Sequence, residues 1–120
     1  MEQIIFVVDD NGTNLAATKA VLGDAYIVYT MSSGEKCLHL LDKVTPHLIL
    51  LDIDMPEMDG FEVLAAIKAH PVHHAIPVIF LTAITDKTFE YKGRDMGAID
   101  FIRKPFSALS FLARVKAHLG

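Results

Sequence analysis

Short apolar runs alternate with longer amphipathic segments along the chain. The apolar runs contain almost only aliphatic and aromatic residues and cover 4–8, 26–29, 48–51, 78–81 and, more weakly, 101–102. Each run is too short for a helix, and three of them are apolar on both faces, as in strands of a parallel sheet covered on both sides. The fifth run is assigned as a strand mainly because the alternation requires one there.

The segments between the runs carry helix start signals. Ser32 with Glu35, and Asp59 with Glu62, have the spacing of a capping box, while Ser107 precedes a regular apolar series. Strand and helix therefore alternate five times, which predicts an α/β fold with helices on both faces of a parallel sheet. The length of 120 residues fits one domain, residues 1–120.

Glycines affect two of the predicted helices. The first helix, about residues 14–22, is predicted to end at Gly23, where a residue without a Cβ can take the left-handed conformation. The fourth, about residues 86–96, has only Phe89 and Met96 as large apolar anchors, and Gly93 weakens it. We expect this helix to be the most mobile element, because few buried contacts hold it.

Composition excludes several classes of protein. Eleven Lys and Arg against fifteen Asp and Glu give a net charge of −4, so the domain itself is not expected to bind nucleic acid, which needs a basic face. The first apolar run is too short for a signal sequence or a membrane span. The single Cys37 cannot form an intrachain disulfide, which favours a cytoplasmic location, and we expect its thiol to be buried and inert.

Polar residues follow the predicted strands at the points where the strands end. Asp9 and Asp10 follow the first run, Asp52 the third and Thr82 the fourth, and Lys104 comes just after the fifth. The carboxyl ends of parallel strands lie at one edge of the sheet, where open α/β folds bind their ligands. The sequence therefore predicts one site with three carboxylates, a hydroxyl and an amine.

This cluster of carboxylates requires a counter-charge, and a hard divalent cation such as Mg²⁺ supplies it. With two or three protein oxygens as ligands, the ion keeps room for water and a phosphoryl group. An aspartate beside the ion can act as a nucleophile and form an acyl phosphate, while Lys104 balances charge and Thr82 donates a hydrogen bond. The chain has no glycine-rich phosphate loop, so nucleotide binding is not implied.

Four segments form a pattern that extends over essentially the whole chain. They are Asp9-Asp10, the stretch LLDIDMPEMDG at 50–60, Thr82-Ala83 and Lys104-Pro105-Phe106. In this order and spacing they resemble the receiver domain (CheY-like) of response regulators. The resemblance implies a flavodoxin-like fold with a five-stranded parallel sheet in the order 2-1-3-4-5, and phosphotransfer from a phosphohistidine of a sensor kinase.

The resemblance assigns roles to the acidic residues. Asp52 becomes the phosphoacceptor, and Asp10 and Asp52 ligate Mg²⁺ through their side chains. The main-chain carbonyl of Asp54 completes the protein ligands of the metal, and Asp9 acts through water. Asp54 is acidic where many family members carry a neutral residue, so we expect its side chain to change the lifetime of the aspartyl phosphate.

The resemblance also assigns the residues that respond to phosphorylation. Lys104 and Thr82 contact the phosphoryl group, and Ala83 is a position kept small beside it. Phe101 takes the aromatic switch position and fills the space that Thr82 leaves, and the bond between Lys104 and Pro105 is expected to be cis. Repacking of the fourth helix, fifth strand and fifth helix then changes a partner surface.

The implied function is a phosphorylation-dependent signalling switch that catalyses only its own phosphorylation and dephosphorylation. The implied partners are a sensor histidine kinase or phosphotransfer protein and a downstream output domain or protein, with a homodimer as a further option and no membrane. The ending at 114–119 is similar to receivers that run by a helix into an output domain, including cyclic di-GMP enzymes. We expect the N-terminal part of a longer response regulator, with a stand-alone chemotaxis-type regulator as the alternative.

Other functions stay open on the sequence alone. The D-x-D spacing at 52–54 is that of a haloacid-dehalogenase-like phosphohydrolase, although those enzymes usually carry it after the first strand and need a longer chain. A receiver-like binding module that works without phosphorylation is disfavoured by the complete set of site residues. His70, His73 and His74 invite a zinc interpretation, but with no cysteine nearby a solvated, imidazole-rich loop is favoured.

Overall fold

The computed structural model describes residues 2–120, in which five strands alternate strictly with five helices. The strands are β1 (Ile4–Val8), β2 (Ile27–Met31), β3 (Leu48–Leu51), β4 (Val78–Thr82) and β5 (Asp100–Arg103). The helices are α1 (Gly12–Leu22), α2 (Gly34–Leu41), α3 (Gly60–Ala69), α4 (Lys87–Asp95) and α5 (Ala108–Leu119).

All five strands are parallel and lie in the order β2-β1-β3-β4-β5, which confirms the predicted fold and topology. The register pairs Val8 with both Met31 and Leu51, so these three strands end side by side. The weak fifth run is a strand, and it pairs Phe101 with Phe80. β2 lies slightly later along the chain than predicted, because this edge strand is mostly exposed and its apolar pattern is a weak guide to its ends.

Alternate strand residues point to opposite faces of the sheet and build two separate hydrophobic clusters. Phe6 and Phe80 pack with residues of α2 and α3 in one cluster, and Ile5 and Ile79 pack with residues of α1 and α5 in the other. The inner strands are buried on both faces, which is why their sequences are continuous apolar runs. Helices on both faces of the sheet are therefore confirmed.

The predicted capping boxes are only half correct. Asp59 and Glu62 form the reciprocal pair of hydrogen bonds at the start of α3. At the start of α2 the cap is Ser33, whose hydroxyl accepts the N–H of Lys36, so the prediction for Ser32 is wrong by one position. Two adjacent serines offer the same cap chemistry, and the backbone direction decides between them. Ser32 instead accepts a hydrogen bond from Lys36 Nζ.

The other two predicted helix ends also have different outcomes. Ser107 caps α5 as predicted, because its hydroxyl accepts the N–H of Ser110. Gly23, however, has a φ of −65° and ψ of −20°, so the predicted left-handed conformation is wrong. Its N–H donates to the carbonyl of Lys19 at 2.8 Å, which extends the right-handed turn past the end of α1.

α4 is packed more closely on the sheet than its sequence suggests. Phe89 and Met96, its predicted anchors, are partly buried against the cluster that contains Phe80. Gly93 is buried, and a Cβ at this position would lie only 2.9 Å from the Phe80 ring. Glycine therefore allows the close approach of α4 to β4, at the cost of a weaker helix. The mobility of α4 stays a prediction.

Cys37 is fully buried, as predicted. Burial raises the pKa of its thiol to about 12, so the reactive thiolate is essentially absent at neutral pH. Within residues 2–120, every helix is too short or too polar to cross a membrane.

Candidate functional site

The polar residues at the carboxyl ends of the strands line one cavity of about 460 Å³. Asp9 follows β1, Asp52 follows β3, Thr82 ends β4 and Lys104 follows β5. Asp10 lines the same cavity, so the structure brings together all five residues that the sequence placed at this edge. Asp9, Asp52 and Thr82 are buried, whereas Asp10 is exposed to solvent.

Lys104 lies between two carboxylates. Its Nζ is 2.7 Å from Asp9 Oδ2 and 3.7 Å from Asp52 Oδ2. All three side chains are largely shielded from water, so their charges interact more strongly than they would on an open surface. One ammonium faces two carboxylates, and the site keeps an excess of negative charge.

The surroundings of Asp52 destabilise its ionised form. Burial raises its pKa to about 6; Lys104 opposes this rise, and the neighbouring Asp9 carboxylate adds to it. The N–H of Ile53 donates to Oδ1 at 2.8 Å, which leaves Oδ2 on the side of Lys104. A buried carboxylate beside a second one gains stability when a cation binds near it.

The donor set of the cavity fits Mg²⁺. One carboxylate oxygen from each of Asp9, Asp10 and Asp52 lies within 4.8 Å of the others. Three hard oxygen donors in an open cavity leave room for the waters that Mg²⁺ retains. Asp54 lines the cavity and its side chain is exposed, but among the described residues this group of three oxygens does not include it.

Three further residues line this cavity that were not predicted from the sequence, namely Asn11, Asn14 and Ile84. Asp9 Oδ1 accepts the N–H of Asn11 at 2.9 Å, which fixes the carboxylate of Asp9 while its Oδ2 contacts Lys104. The Asn11 side chain in turn caps α1 by accepting the N–H of Asn14. An asparagine directly before a helical segment is a recognisable cap signal, so this contact was within reach of the sequence.

Of the predicted switch residues, Thr82 and Ala83 line the cavity, and Phe101 is part of the hydrophobic core. Thr82 Oγ1 accepts the N–H of Ile84 at 3.2 Å, and Ala83 lines the cavity. The Phe101 ring is only 4% exposed, so the movement expected of it starts from a ring that is already buried. The peptide bond before Pro105 is cis, as expected.

A second cavity of about 410 Å³ adjoins the first and has a mostly apolar lining. Ala17 and Thr18 of α1 form one side, and Pro105 and Phe106, which follow β5, form the other. Lys104 lines both cavities. A partner that docks between α1 and the segment after β5 would therefore lie directly beside the carboxylates.

The histidine loop lies between α3 and β4, at the opposite edge of the sheet. His73 is only 7% exposed, so the expected solvated loop is wrong for this residue. Ligand atoms of Asp42, His70 and His73 lie within 4.8 Å of one another. However, His70 Nδ1 accepts the N–H groups of Val72 and His73, which puts the proton of the neutral ring on Nε2. Nε2 is then a hydrogen-bond donor and offers no lone pair to a metal ion. The contacts therefore favour a structural role for His70 over metal binding.

Comparison with known proteins gives a consistent result. The response regulator receiver domain family matches residues 5–116. A Vibrio cholerae protein named "Probable cyclic di-GMP phosphodiesterase" is 40% identical over 115 residues, which are 96% of this chain and 26% of that protein. The response regulator PleD of Caulobacter vibrioides is 36% identical over 118 residues, 98% of this chain and 26% of PleD. The chain thus spans about a quarter of the length of these two relatives.

Solved structures agree with the family match. The BeF₃-activated receiver domain of DrrB, a response regulator of Thermotoga maritima, superimposes with a TM-score of 0.89 at 34% identity. The superposition covers 99% of this chain and 98% of that domain. Sequence, fold and the acidic cavity therefore lead to the same assignment, and the chain belongs to the response regulator receiver domains.

Proposed function

We propose that this domain accepts a phosphoryl group on Asp52 in a Mg²⁺-dependent reaction and thereby acts as a two-component signalling switch. The observation that carries the proposal is the buried Asp52 carboxylate, which shares one cavity with Lys104 and with the carboxylates of Asp9 and Asp10. Receiver domains are regulatory, and the donor set of this cavity suits the metal on which phosphoryl transfer depends.

In this reaction an oxygen of Asp52 forms a bond to phosphorus as the bond from phosphorus to the donor's imidazole nitrogen breaks. The imidazole leaves with the bonding electron pair. Lys104 Nζ, already 3.7 Å from Asp52 Oδ2, balances the charge of the phosphoryl oxygens. Asp10, Asp52 and the main-chain carbonyl of Asp54 would hold Mg²⁺, with Asp9 acting through water, and the ion would neutralise further charge during transfer.

The donor in this proposal is a histidine kinase or a phosphotransfer protein. The apolar cavity beside Lys104, between α1 and the residues after β5, supports docking of such a partner. Apolar contacts there would bring a phosphohistidine to the open side of the acidic cavity. A cytoplasmic location belongs to the same proposal, because these kinases phosphorylate their regulators in that compartment.

The output of the switch is a change in the surface formed by α4, β5 and α5. Phosphorylation replaces the single charge of the Asp52 carboxylate with a phosphoryl group that carries about −1.5 to −2 charges, and it favours a hydrogen bond from the Thr82 hydroxyl to a phosphoryl oxygen. The hydrogen bond from the N–H of Ile84 to Thr82 Oγ1 is then lost, and the segment between β4 and α4 can move. Residues 1–120 would be the receiver part of a longer regulator, as the lengths of the two relatives support.

Intact mass measurement tests the proposal. The protein is incubated with Mg²⁺ and acetyl phosphate as wild type, as Asp52→Asn and as Asp54→Asn, which removes a neighbouring exposed carboxylate. We expect one phosphoryl group on wild type and Asp54→Asn and none on Asp52→Asn. A phosphoryl group on Asp52→Asn, or its absence from wild type, would contradict the assignment. Steady turnover of a phosphate ester would instead indicate a phosphohydrolase.

A further inference from the structure

Arg103, the last residue of β5, connects the loop after Thr82 to α4. Its Nη1 donates a hydrogen bond to the main-chain oxygen of Ile84. Its Nη2 lies 3.2 Å from Glu90 Oε1 in α4. One guanidinium therefore holds the β4–α4 loop and the helix that follows it, and its planar fork suits two acceptors at once.

Ile84 is held from both sides in this arrangement. Its N–H donates to Thr82 Oγ1 at 3.2 Å, and its carbonyl accepts from Arg103. Thr82 is the residue that the proposed function places against a phosphoryl oxygen. A turn of its hydroxyl toward the phosphoryl group would release the Ile84 N–H, and the carbonyl of the same residue would be free to turn away from Arg103.

Arg103 also contacts the ring of Phe101. The ring is buried, and the guanidinium carbon of Arg103 lies 5.1 Å from the ring centroid, within the range of a cation–π contact. Phenylalanine has no hydroxyl that could gain a hydrogen bond at the surface, so its ring has no polar reason to leave the core. Arg103, whose side chain is 32% exposed, covers this ring on its solvent side.

We propose that Arg103 is a positioning residue that holds the β4–α4 loop against Thr82's movement and transmits that movement to α4 through Glu90. The inference rests on the proposed function, because it concerns how phosphorylation of Asp52 is communicated. Contacts made only in the unphosphorylated arrangement lower the affinity for a phosphoryl group, and their removal raises it. Loss of Arg103 should therefore tighten binding at Asp52, whereas purely structural damage would weaken it.

Arg94 provides a matched control. It lies in α4, carries the same charge, and its Nε is 3.1 Å from Glu90 Oε2. In the described part of the chain its side-chain hydrogen bonds go to Glu90 and Asp100, and not to the loop. Arg94→Gln thus removes one cation and one contact with Glu90, as Arg103→Gln does, without releasing Ile84.

The test is a titration with beryllium fluoride, a phosphoryl mimic, in excess Mg²⁺, together with amide hydrogen exchange of α4. We expect Arg103→Gln to bind beryllium fluoride about five- to tenfold more tightly than wild type and to exchange α4 amides faster before it binds. Arg103→Lys, which keeps the charge without the fork, should fall between the two proteins. Arg94→Gln should stay within about twofold of wild type.

This experiment distinguishes failure of the proposed function from failure of the role of Arg103. If wild type binds no more beryllium fluoride than Asp52→Asn does, the proposed function fails and the role of Arg103 falls with it. If wild type binds at Asp52 but Arg103→Gln has the affinity of wild type or of Arg94→Gln, or a weaker one, only the inference about Arg103 is overturned.

Discussion

Asp52 and Asp100 are equally buried aspartates in opposite electrostatic environments. Each is 8% exposed, and each accepts the N–H of the residue that follows it, at 2.8 Å in both cases. Asp52 lies just beyond the carboxyl end of β3, whereas Asp100 is the first residue of β5. The two therefore occupy opposite edges of the same sheet, and their neighbours make the difference.

The neighbours of Asp100 stabilise its charge. Burial raises the pKa of this carboxyl, but hydrogen bonds from His118, from the N–H of Phe101 and from Arg114 outweigh it and hold the pKa below its usual value. Arg94 lies 3.5 Å from the same carboxylate. Three helical side chains thus converge on Asp100 and tie α4 and α5 to β5.

The neighbours of Asp52 leave its charge only partly compensated. Burial raises its pKa to about 6, and Lys104, which opposes the rise, is shared with Asp9. The comparison shows that burial alone does not determine what a carboxylate does. A buried carboxylate that is surrounded by hydrogen-bond donors stabilises the fold. A buried carboxylate beside a second one can bind a cation and react with an electrophile.

The largest expected effect is on the stabilised member of the pair. Asp100→Asn should lower the free energy of unfolding by about 3 kcal/mol at pH 7, because it leaves Arg114 and His118 without their partner. Because the folded pKa of Asp100 lies below its unfolded value, this contribution is present above that value and is lost as pH falls through the folded pKa. Urea unfolding at pH 7 and pH 3 measures the loss of stability and its dependence on pH. An unchanged stability at pH 7 would show that the ion pairs contribute nothing.

The substitution Asp52→Asn should change the free energy of unfolding in the opposite direction. The folded pKa of Asp52 is about 6 against an unfolded value of 3.8, so ionisation of the folded protein is unfavourable. Stability is therefore lost as pH rises from about 4 through 6, and Asp52→Asn should gain up to about 2 kcal/mol at pH 7.5 without Mg²⁺. The gain should vanish toward pH 4. A loss of stability at pH 7.5 would refute the argument, and the same urea unfolding measures it.

The fold and the acidic site were predictable because they depend on pattern and topology. Apolar runs marked the strands, and a parallel sheet necessarily brings Asp9, Asp52, Thr82 and Lys104 to one edge. Even the weak β5 followed from the alternation. These inferences needed no knowledge of where any individual side chain points.

The missed features depend on how side chains pack across elements. The cluster around Asp100 draws residues from α4 and α5, and the contacts of Arg103 join β5 to a loop and a helix. No spacing rule places such residues together. The burial of His73 and the close approach of Gly93 to Phe80 likewise follow only from the packed structure.

Mg²⁺ should stabilise the variants of the two aspartates to different extents, and this difference in stability should be smaller than the two effects above. At tenfold excess over its dissociation constant, the ion should stabilise wild type by about 1.4 kcal/mol. Asp52→Asn and Asp10→Asn should lose most of this gain, whereas Asp100→Asn should retain it. Thermal unfolding with and without Mg²⁺ provides the measurement. Equal stabilisation of all four proteins would place the ion elsewhere.

Asp54→Asn is expected to have the smallest effect. The carboxylate is exposed at the rim of the cavity, so its repulsion of a phosphoryl group on Asp52 is screened by water and salt. The substitution keeps the main-chain carbonyl and should slow loss of the phosphoryl group by no more than about threefold. The decay of phosphorylated protein, followed by intact mass, measures this rate. Equal decay rates would remove any role for the Asp54 side chain.

The most direct test of the contrast between the two aspartates is a carboxyl ¹³C NMR titration of both residues in one sample. Without Mg²⁺, Asp52 should titrate near pH 6 and Asp100 below its usual range, and added Mg²⁺ should lower the pKa of Asp52 alone. An Asp52 that titrates like an ordinary surface carboxyl without Mg²⁺, or whose pKa does not change when Mg²⁺ is added, would contradict the account.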